Sequence, residues 1–227
     1  MELFLFIGSF VLTFLFVTVT LYLLLNRWNY HDSTYKDITG FHYKNINQDK
    51  NILAEWRIFR RLEKSFPDSM LLANVHIPYQ DGQTNDIDIV LIHSSGVYPI
   101  ECQTLKGKVY GSDKSKEWVQ WITAKNKYQF PNPLPKNKQC TRFLSQYLSL
   151  PYERLTPLIV FGKETLTVKV KLSSSTKAKV IQVDDIEKTI QNLIKDSSPV
   201  LTTKDMKNIY QKLSLFTSIS NTHTHKQ

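Results

Sequence analysis

The residues best suited to chemistry lie in two short stretches flanking a turn: Asn85-Asp86-Ile87-Asp88-Ile89-Val90-Leu91-Ile92-His93 and Gly96-Val97-Tyr98-Pro99-Ile100-Glu101-Cys102-Gln103. A turn centred on Ser94 and Ser95 pairs residues whose numbers add to 189, which sets Asp88 opposite Glu101. Directly opposed residues hold their Cβ atoms about 4.5–5.5 Å apart, a spacing at which like charges repel. A hard divalent cation relieves that repulsion, because Mg²⁺ and Mn²⁺ prefer carboxylate oxygen. Two-residue alternation adds Gln103 to the face of Glu101 and Asp86 to that of Asp88, so three acids and an amide gather on one side. In the alternative arrangement, Asp86 and Asp88 mark the wet end of a strand and Glu101 pairs with a nearby lysine. Register separates the two, since one more loop residue turns Glu101 to the other face. Pro99 costs its strand a ladder hydrogen bond and points to a bulge or a sheet edge.

Periodicity predicts the elements that must position these groups. Ile52, Leu53, Trp56, Phe59, Leu62 and Phe66 recur three or four apart, the mark of an amphipathic helix over 49–66, capped by Asp49 or Asn51 and ended by Pro67. Short β-rich runs follow at 70–77, 86–93, 96–104, 108–111 and 117–123, broken at Asp81-Gly82, Ser94-Ser95-Gly96 and Lys106-Gly107, and they predict successive antiparallel strands. Apart from the acids, the remaining positions on both faces, including Ile87, Ile89, Val90, Leu91, Ile92 and Ile100, are apolar, as in strands covered on both sides. Past Pro131-Asn132-Pro133 a helix is expected over 135–148, then strands at 158–161, 167–172 and 179–183. Asp184 or Asp185 can cap a helix through Ile194, and Thr202 or Thr203 another over 204–215.

Ahead of all this, Leu3 to Leu25 is an uncharged run of 23 residues, long enough at about 34 Å to cross a hydrocarbon core of about 30 Å. Glu2 precedes it and Arg27, Lys36 and Lys44 follow it, so the positive-inside rule predicts a single-pass protein of the cell membrane with its C-terminal domain in the cytoplasm. Trp28 and Tyr30 suit the membrane interface. The expected organisation is an anchor over 1–28, a linker over 29–48, a core over 49–162, strands and two helices completing the domain over 163–217, and a polar tail over 218–227 whose His223 and His225 are solvated. The 227-residue composition, 41% hydrophobic and 22% charged, excludes a disordered chain, and two cysteines exclude a disulfide framework or a four-cysteine zinc site. A net charge of +9 suits a polyanion or an anionic lipid face.

Cys102 points away from Glu101 by alternation and reads as core, as does Cys140; His76 and His93 read as solvated or capped. Lys106, Lys108, Lys114, Lys116, Lys125 and Lys127 interleave with Tyr110, Trp118, Trp121 and Tyr128. That mixture fits a nucleic-acid track and fits equally the solvated rim of strands whose aromatics are core. Arg57, Arg60, Arg61 and Lys64 give the first amphipathic helix a polar face suited to lipid headgroups.

Taken in order, Ala54-Glu55, Ile87-Asp88, Gly96 to Gln103, Gly107-Lys108-Val109-Tyr110-Gly111, Trp118 and Asn132-Pro133-Leu134-Pro135-Lys136-Asn137 resemble the nuclease-related domain, NERD, a branch of the PD-(D/E)XK nuclease superfamily. The resemblance covers roughly residues 51–148. It implies an α/β, restriction-endonuclease-like mixed sheet flanked by helices, with Asp88 and Glu101 as metal ligands, Glu55 reaching in from the first helix, and the main-chain carbonyl of Cys102 completing the site. It also implies hydrolysis of DNA, or of RNA, with Mg²⁺ or Mn²⁺. The chain departs from the pattern where the family's lysine is Gln103, where the glutamine of the Asn-Pro motif is Lys136, and where Ile52 and Ala54 replace glycines. An amide cannot act as a base but can hold a water, and Lys136 supplies an ammonium if its helix packs over the site. Three function classes follow: a membrane-anchored metal-dependent nuclease, a weakened or inactive nucleic-acid-binding or interaction module, and a lipid-surface scaffold.

Overall fold

Strands that are apolar on both faces must be sandwiched, and the hairpin that carries the acids lies at the centre of the protein. The computed structural model describes residues 2–79 and 82–217. Four helices come first: α1 (Glu2–His31), α2 (Tyr35–Thr39), α3 (Tyr43–Gln48) and α4 (Lys50–Ser65). Then follow β1 (Met70–Pro78), β2 (Thr84–His93), β3 (Gly96–Gln103), β4 (Gly107–Ser112), β5 (Glu117–Trp121), β6 (Lys127–Pro131), α5 (Leu134–Leu148), β7 (Leu158–Phe161), β8 (Thr165–Lys171), β9 (Lys179–Gln182), α6 (Ile186–Lys195) and α7 (Thr203–Ser214).

β1, β2 and β3 form an antiparallel meander, and β7 and β9 extend it in parallel to a five-stranded mixed sheet in the order β1-β2-β3-β7-β9. Helix α4 packs on all three meander strands and α7 on β1 and β2. Phe59, Leu62, Ile89, Leu91, Ile100, Leu158 and Leu213 are fully enclosed in the resulting core. α4 starts where the capping signal placed it: the Asp49 carboxylate accepts from the backbone N–H of Asn51 at 2.7 Å. Thr202 and Asp205 form a reciprocal capping box at the start of α7.

The chain departs from expectation in four places. Residues 29–48 are not a tether: α1 runs on to His31, α2 and α3 follow, and Tyr30, Tyr35, Ile38 and Ile46 are buried. Their rings pack on α4, Tyr30 on Trp56 at 5.8 Å and Tyr35 on Phe59 at 5.3 Å between centroids. Four anchors dispersed among polar residues give no periodic signal, and only the partner helix makes them core. The meander does not continue past β3. β4, β5 and β8, with the unanticipated strand β6, form a second mixed sheet in the order β6-β5-β4-β8. Its buried Val109 and Trp118 pack with Leu134 and with Ile159 and Phe161 of β7. Gly107, at φ 79°, makes the turn into it, and a β-carbon there would lie 2.2 Å from the Trp121 carbonyl oxygen. Lastly, Pro99 marks no sheet edge, since β3 lies between β2 and β7. The β3–β7 ladder begins at Ile100, after an isolated bridge from Val97 to Leu155, so the missing N–H falls in a gap in the pairing. The turn expected at Asp81-Gly82 lies partly outside the described residues, and the tail with His223 and His225 lies wholly outside them.

Candidate active site

The β2–β3 ladder has the expected register, from His93 opposite Gly96 to Ile89 opposite Ile100. It stops one pair short of Asp88 and Glu101. Beyond that point the Asp88 carboxylate accepts the main-chain N–H of Cys102 at 2.7 Å, so the acid is fixed at the end of β3 by its own hydrogen bond. Glu101 takes two amide donors, Gln103 Nε2 at 2.8 Å and Asn137 Nδ2 at 3.3 Å. From α4, Glu55 accepts the Tyr35 hydroxyl at 3.0 Å. Three carboxylates from three elements thus meet where the central strands part.

Their electrostatics are those of acids crowded into protein. Burial, with the charge of Asp88 next in importance, pushes the Glu55 carboxyl well above its ordinary range against the lowering effect of Tyr35. Asp88 keeps some surface open, yet burial raises it to about 6; the Cys102 N–H works against the rise and Glu101 adds to it. Burial also raises Glu101, opposed by Asn137, Gln103 and Lys136. The Lys136 charge is felt at Asp86, Asp88 and Glu101, so α5 brings its first turn over the acids. Asn132 sets that approach: its Oδ1 accepts the Leu134 N–H at 3.0 Å, and its Nδ2 donates to the Ser115 carbonyl at 2.8 Å.

Asp88 and Glu101 offer oxygen donors in a region where negative charge is under-compensated, and the neighbouring Asn137 Oδ1 is buried without a hydrogen-bond partner. That donor chemistry fits a hard divalent cation. Among the described residues, no group of three or more His, Cys, Asp or Glu side chains has metal-ligand spacing, so any further ligand is main chain, amide or water. Burial and the surrounding acids Asp88, Glu55 and Glu101 drive the Cys102 thiol well above its usual range, which disfavours its thiolate form.

The structure therefore brings together Glu55, Asp88, Glu101, Gln103, the Cys102 backbone and the charge of Lys136. Asp86 is turned aside, half-exposed and bonded to His76 Nδ1 at 2.8 Å. His93 is held by Ser95 at 2.8 Å, away from the acids. The basic and aromatic run divides. Trp118 is core, whereas Lys108, Tyr110, Trp121 and Lys127 share the outer face of the second sheet with Lys169 and Lys171 of β8. Reading the residues one by one missed Tyr35, which no local signal marks, and Asn137, whose only signal is its place after the Asn-Pro pair.

The protein-family model of the nuclease-related domain matches residues 50–162. An uncharacterized protein of Bacillus anthracis is 28% identical over 174 residues, covering 75% of this chain and 78% of the relative. The small subunit of a heterodimeric restriction endonuclease matches with a TM-score of 0.31 and 17% identity, over 78% of this chain and 87% of that one. The acid pair with its Gly-Val-x-x-Ile-Glu strand, the Trp118 hairpin and the Asn-Pro entry to α5 all fall within the matched span, and residues 50–162 belong to the nuclease-related domain family, NERD.

Proposed function

We propose that this chain is a membrane-anchored, cytoplasmic nuclease that hydrolyses phosphodiester bonds of DNA, or of RNA, with Mg²⁺ or Mn²⁺ held by Asp88 and Glu101. The observation that carries this reading is the meeting of Asp88 and Glu101 under the positive charge of Lys136, with Glu55 beside Asp88 and Asp88 pinned to the Cys102 N–H. Asp88, Glu101 and the Cys102 carbonyl would hold the cation, which supplies Lewis-acid charge and an acidified water when bound. Asn137 and Gln103 orient the Glu101 carboxylate, each donating to a different oxygen. Gln103 positions water through its amide and takes no proton. Lys136 provides the positive charge that a lysine at 103 would give, from the opposite element. Anchoring follows from α1, whose stretch from Phe6 to His31 is long and apolar enough to cross a membrane, with Arg27, Lys36 and Lys44 on its C-terminal side.

One observation favours a second reading, a weakened nucleic-acid-binding module. Gln103 spends its amide on Glu101, and among the described residues no ammonium makes an ion pair with the three acids. A cleavage assay with the full chain in detergent, fluorescent single-stranded DNA, duplex DNA and RNA, and Mg²⁺ or Mn²⁺ separates the two. Cleavage is expected, abolished in Asp88→Ala and Glu101→Ala, retained in Cys102→Ala and increased in Gln103→Lys. Binding without cleavage in both the wild type and Gln103→Lys would overturn the catalytic reading in favour of the module.

A further inference from the structure

α1 leaves its apolar run at Leu25 and meets α4 immediately afterwards, and the two helices enclose a cleft of about 310 Å³. Asn26 and Asn29 line it from α1, Trp56, Arg57 and Lys64 from α4, and Lys163 from the loop after β7. Arg60 and Arg61 also border it, and among the described residues no acid does. These two arginines are already neutralised, Arg60 by Asp32 and Glu63, Arg61 by Asp184 and Glu187. Arg57, Lys64 and Lys163 have no carboxylate partner among the described residues; Lys64 spends one N–H on Asn29 at 3.0 Å. The indole N–H of Trp56, in the same wall, is buried and has no partner. Three uncompensated cations thus face a concave site whose α1 lining, Tyr22, Asn26 and Asn29, straddles the end of the apolar run at Leu25.

We propose that this cleft binds the headgroup of an anionic phospholipid, with its phosphate among Arg57, Lys64 and Lys163. The proposal rests on the reading of α1 as a membrane span, which sets the cleft at headgroup depth, where basic side chains next to a span are drawn to anionic lipid. Arg60 bonds Asp32 just past the C-terminal end of α1, and Lys64 bonds Asn29 within it. The lipid therefore closes a joint that already exists and holds α4, which carries Glu55 on its buried side, in one orientation to the bilayer.

The test titrates the full chain in zwitterionic micelles with dihexanoyl phosphatidylglycerol, dihexanoyl phosphatidylcholine or inorganic phosphate, with native mass spectrometry as the readout. Phosphatidylglycerol is expected to bind at least about tenfold more tightly than phosphatidylcholine. The double variant Arg57→Gln, Lys163→Gln should lose that preference, while Lys169→Gln, Lys171→Gln, an equal charge change on the outer face of the second sheet, keeps it. Equal losses in both double variants, equal binding of the two lipids, or displacement of phosphatidylglycerol by inorganic phosphate or short single-stranded DNA at matched concentration would each overturn the proposal. Flotation of the wild type with pure phosphatidylcholine vesicles tests the anchor separately. A chain that floats but shows no headgroup preference keeps its anchor and loses this site, whereas a chain that does not float loses both.

Discussion

Replacing Asp88 with Asn should stabilise the protein at neutral and alkaline pH while removing the acid that the proposed chemistry needs. Burial raises the Asp88 carboxyl from 3.8 to about 6, so in the folded state it holds its proton more tightly than in the unfolded chain. The stability linked to that proton is fully present below about pH 3.8 and is lost as pH rises through about 6. At about 1.36 kcal/mol per pH unit, the full loss is about 3 kcal/mol. Asp88 is partly open and coupled to Glu101 and Glu55, which brings the expected gain in Asp88→Asn to about 1–3 kcal/mol. Asparagine keeps an oxygen to accept the Cys102 N–H, so the hydrogen bond at the end of β3 survives. With about 2–4 °C per kcal/mol for a domain of this size, Tm should rise by about 2–12 °C near pH 8 and by almost nothing near pH 4. Thermal unfolding of the full chain in one detergent with EDTA, at several pH values, measures this directly. Adding Mg²⁺ should then raise the wild-type Tm and leave the variant unmoved, because binding to the folded state alone stabilises by about 2.7 kcal/mol at a hundredfold excess over Kd. An Asp88→Asn protein no more stable than wild type near pH 8, or equally more stable near pH 4, would refute the account of a desolvated, crowded carboxylate.

Tyr35→Phe deletes the donor to Glu55 inside the core, and unfolding measurements should show a loss of about 1 kcal/mol. Unchanged stability would mean that the Tyr35 hydroxyl does not support the acid. Gly107→Ala puts a β-carbon 2.2 Å from the Trp121 carbonyl oxygen at a backbone angle of φ 79°, so thermal unfolding should register a cost of about 2 kcal/mol or more at the junction of the two sheets. A silent Gly107→Ala would mean that the turn into the second sheet is made differently.

The acid-bearing hairpin was legible because its information is local. A two-residue turn fixes which numbers face each other, and the observed pairs from His93–Gly96 to Ile89–Ile100 follow that count. The helix over 50–65 was legible from the spacing of Trp56, Phe59 and Leu62 and the cap at Asp49. Neither count could tell that the ladder ends at Ile89, because strand divergence depends on what β3 pairs with next, and β7 arrives from 55 residues further along the chain, Ile100 lying beside Leu158 three positions past Leu155. For the same reason Asp88 was expected across from Glu101 and is instead bonded to the Cys102 backbone. The second sheet was hidden likewise: the runs at 108–111 and 117–123 show as strands, but nothing in them names β8 as a neighbour.

The amino-acid sequence by itself determined the acids, the alternation that places Glu101 and Gln103 on one face, the apolar run of α1 and the ordered motifs of a nuclease-related domain. Each depends on residues within a turn or two of one another, where backbone geometry leaves few choices. Tertiary structure alone decided that Tyr35, from a stretch with no periodicity, would reach Glu55, that α5 would bring Lys136 and Asn137 over Glu101, and that Asp86 would turn away to His76. Those outcomes depend on how distant elements share one buried space, and burial itself, by stripping water from three carboxylates, gives the site its unusual affinity for protons and its fit to a cation.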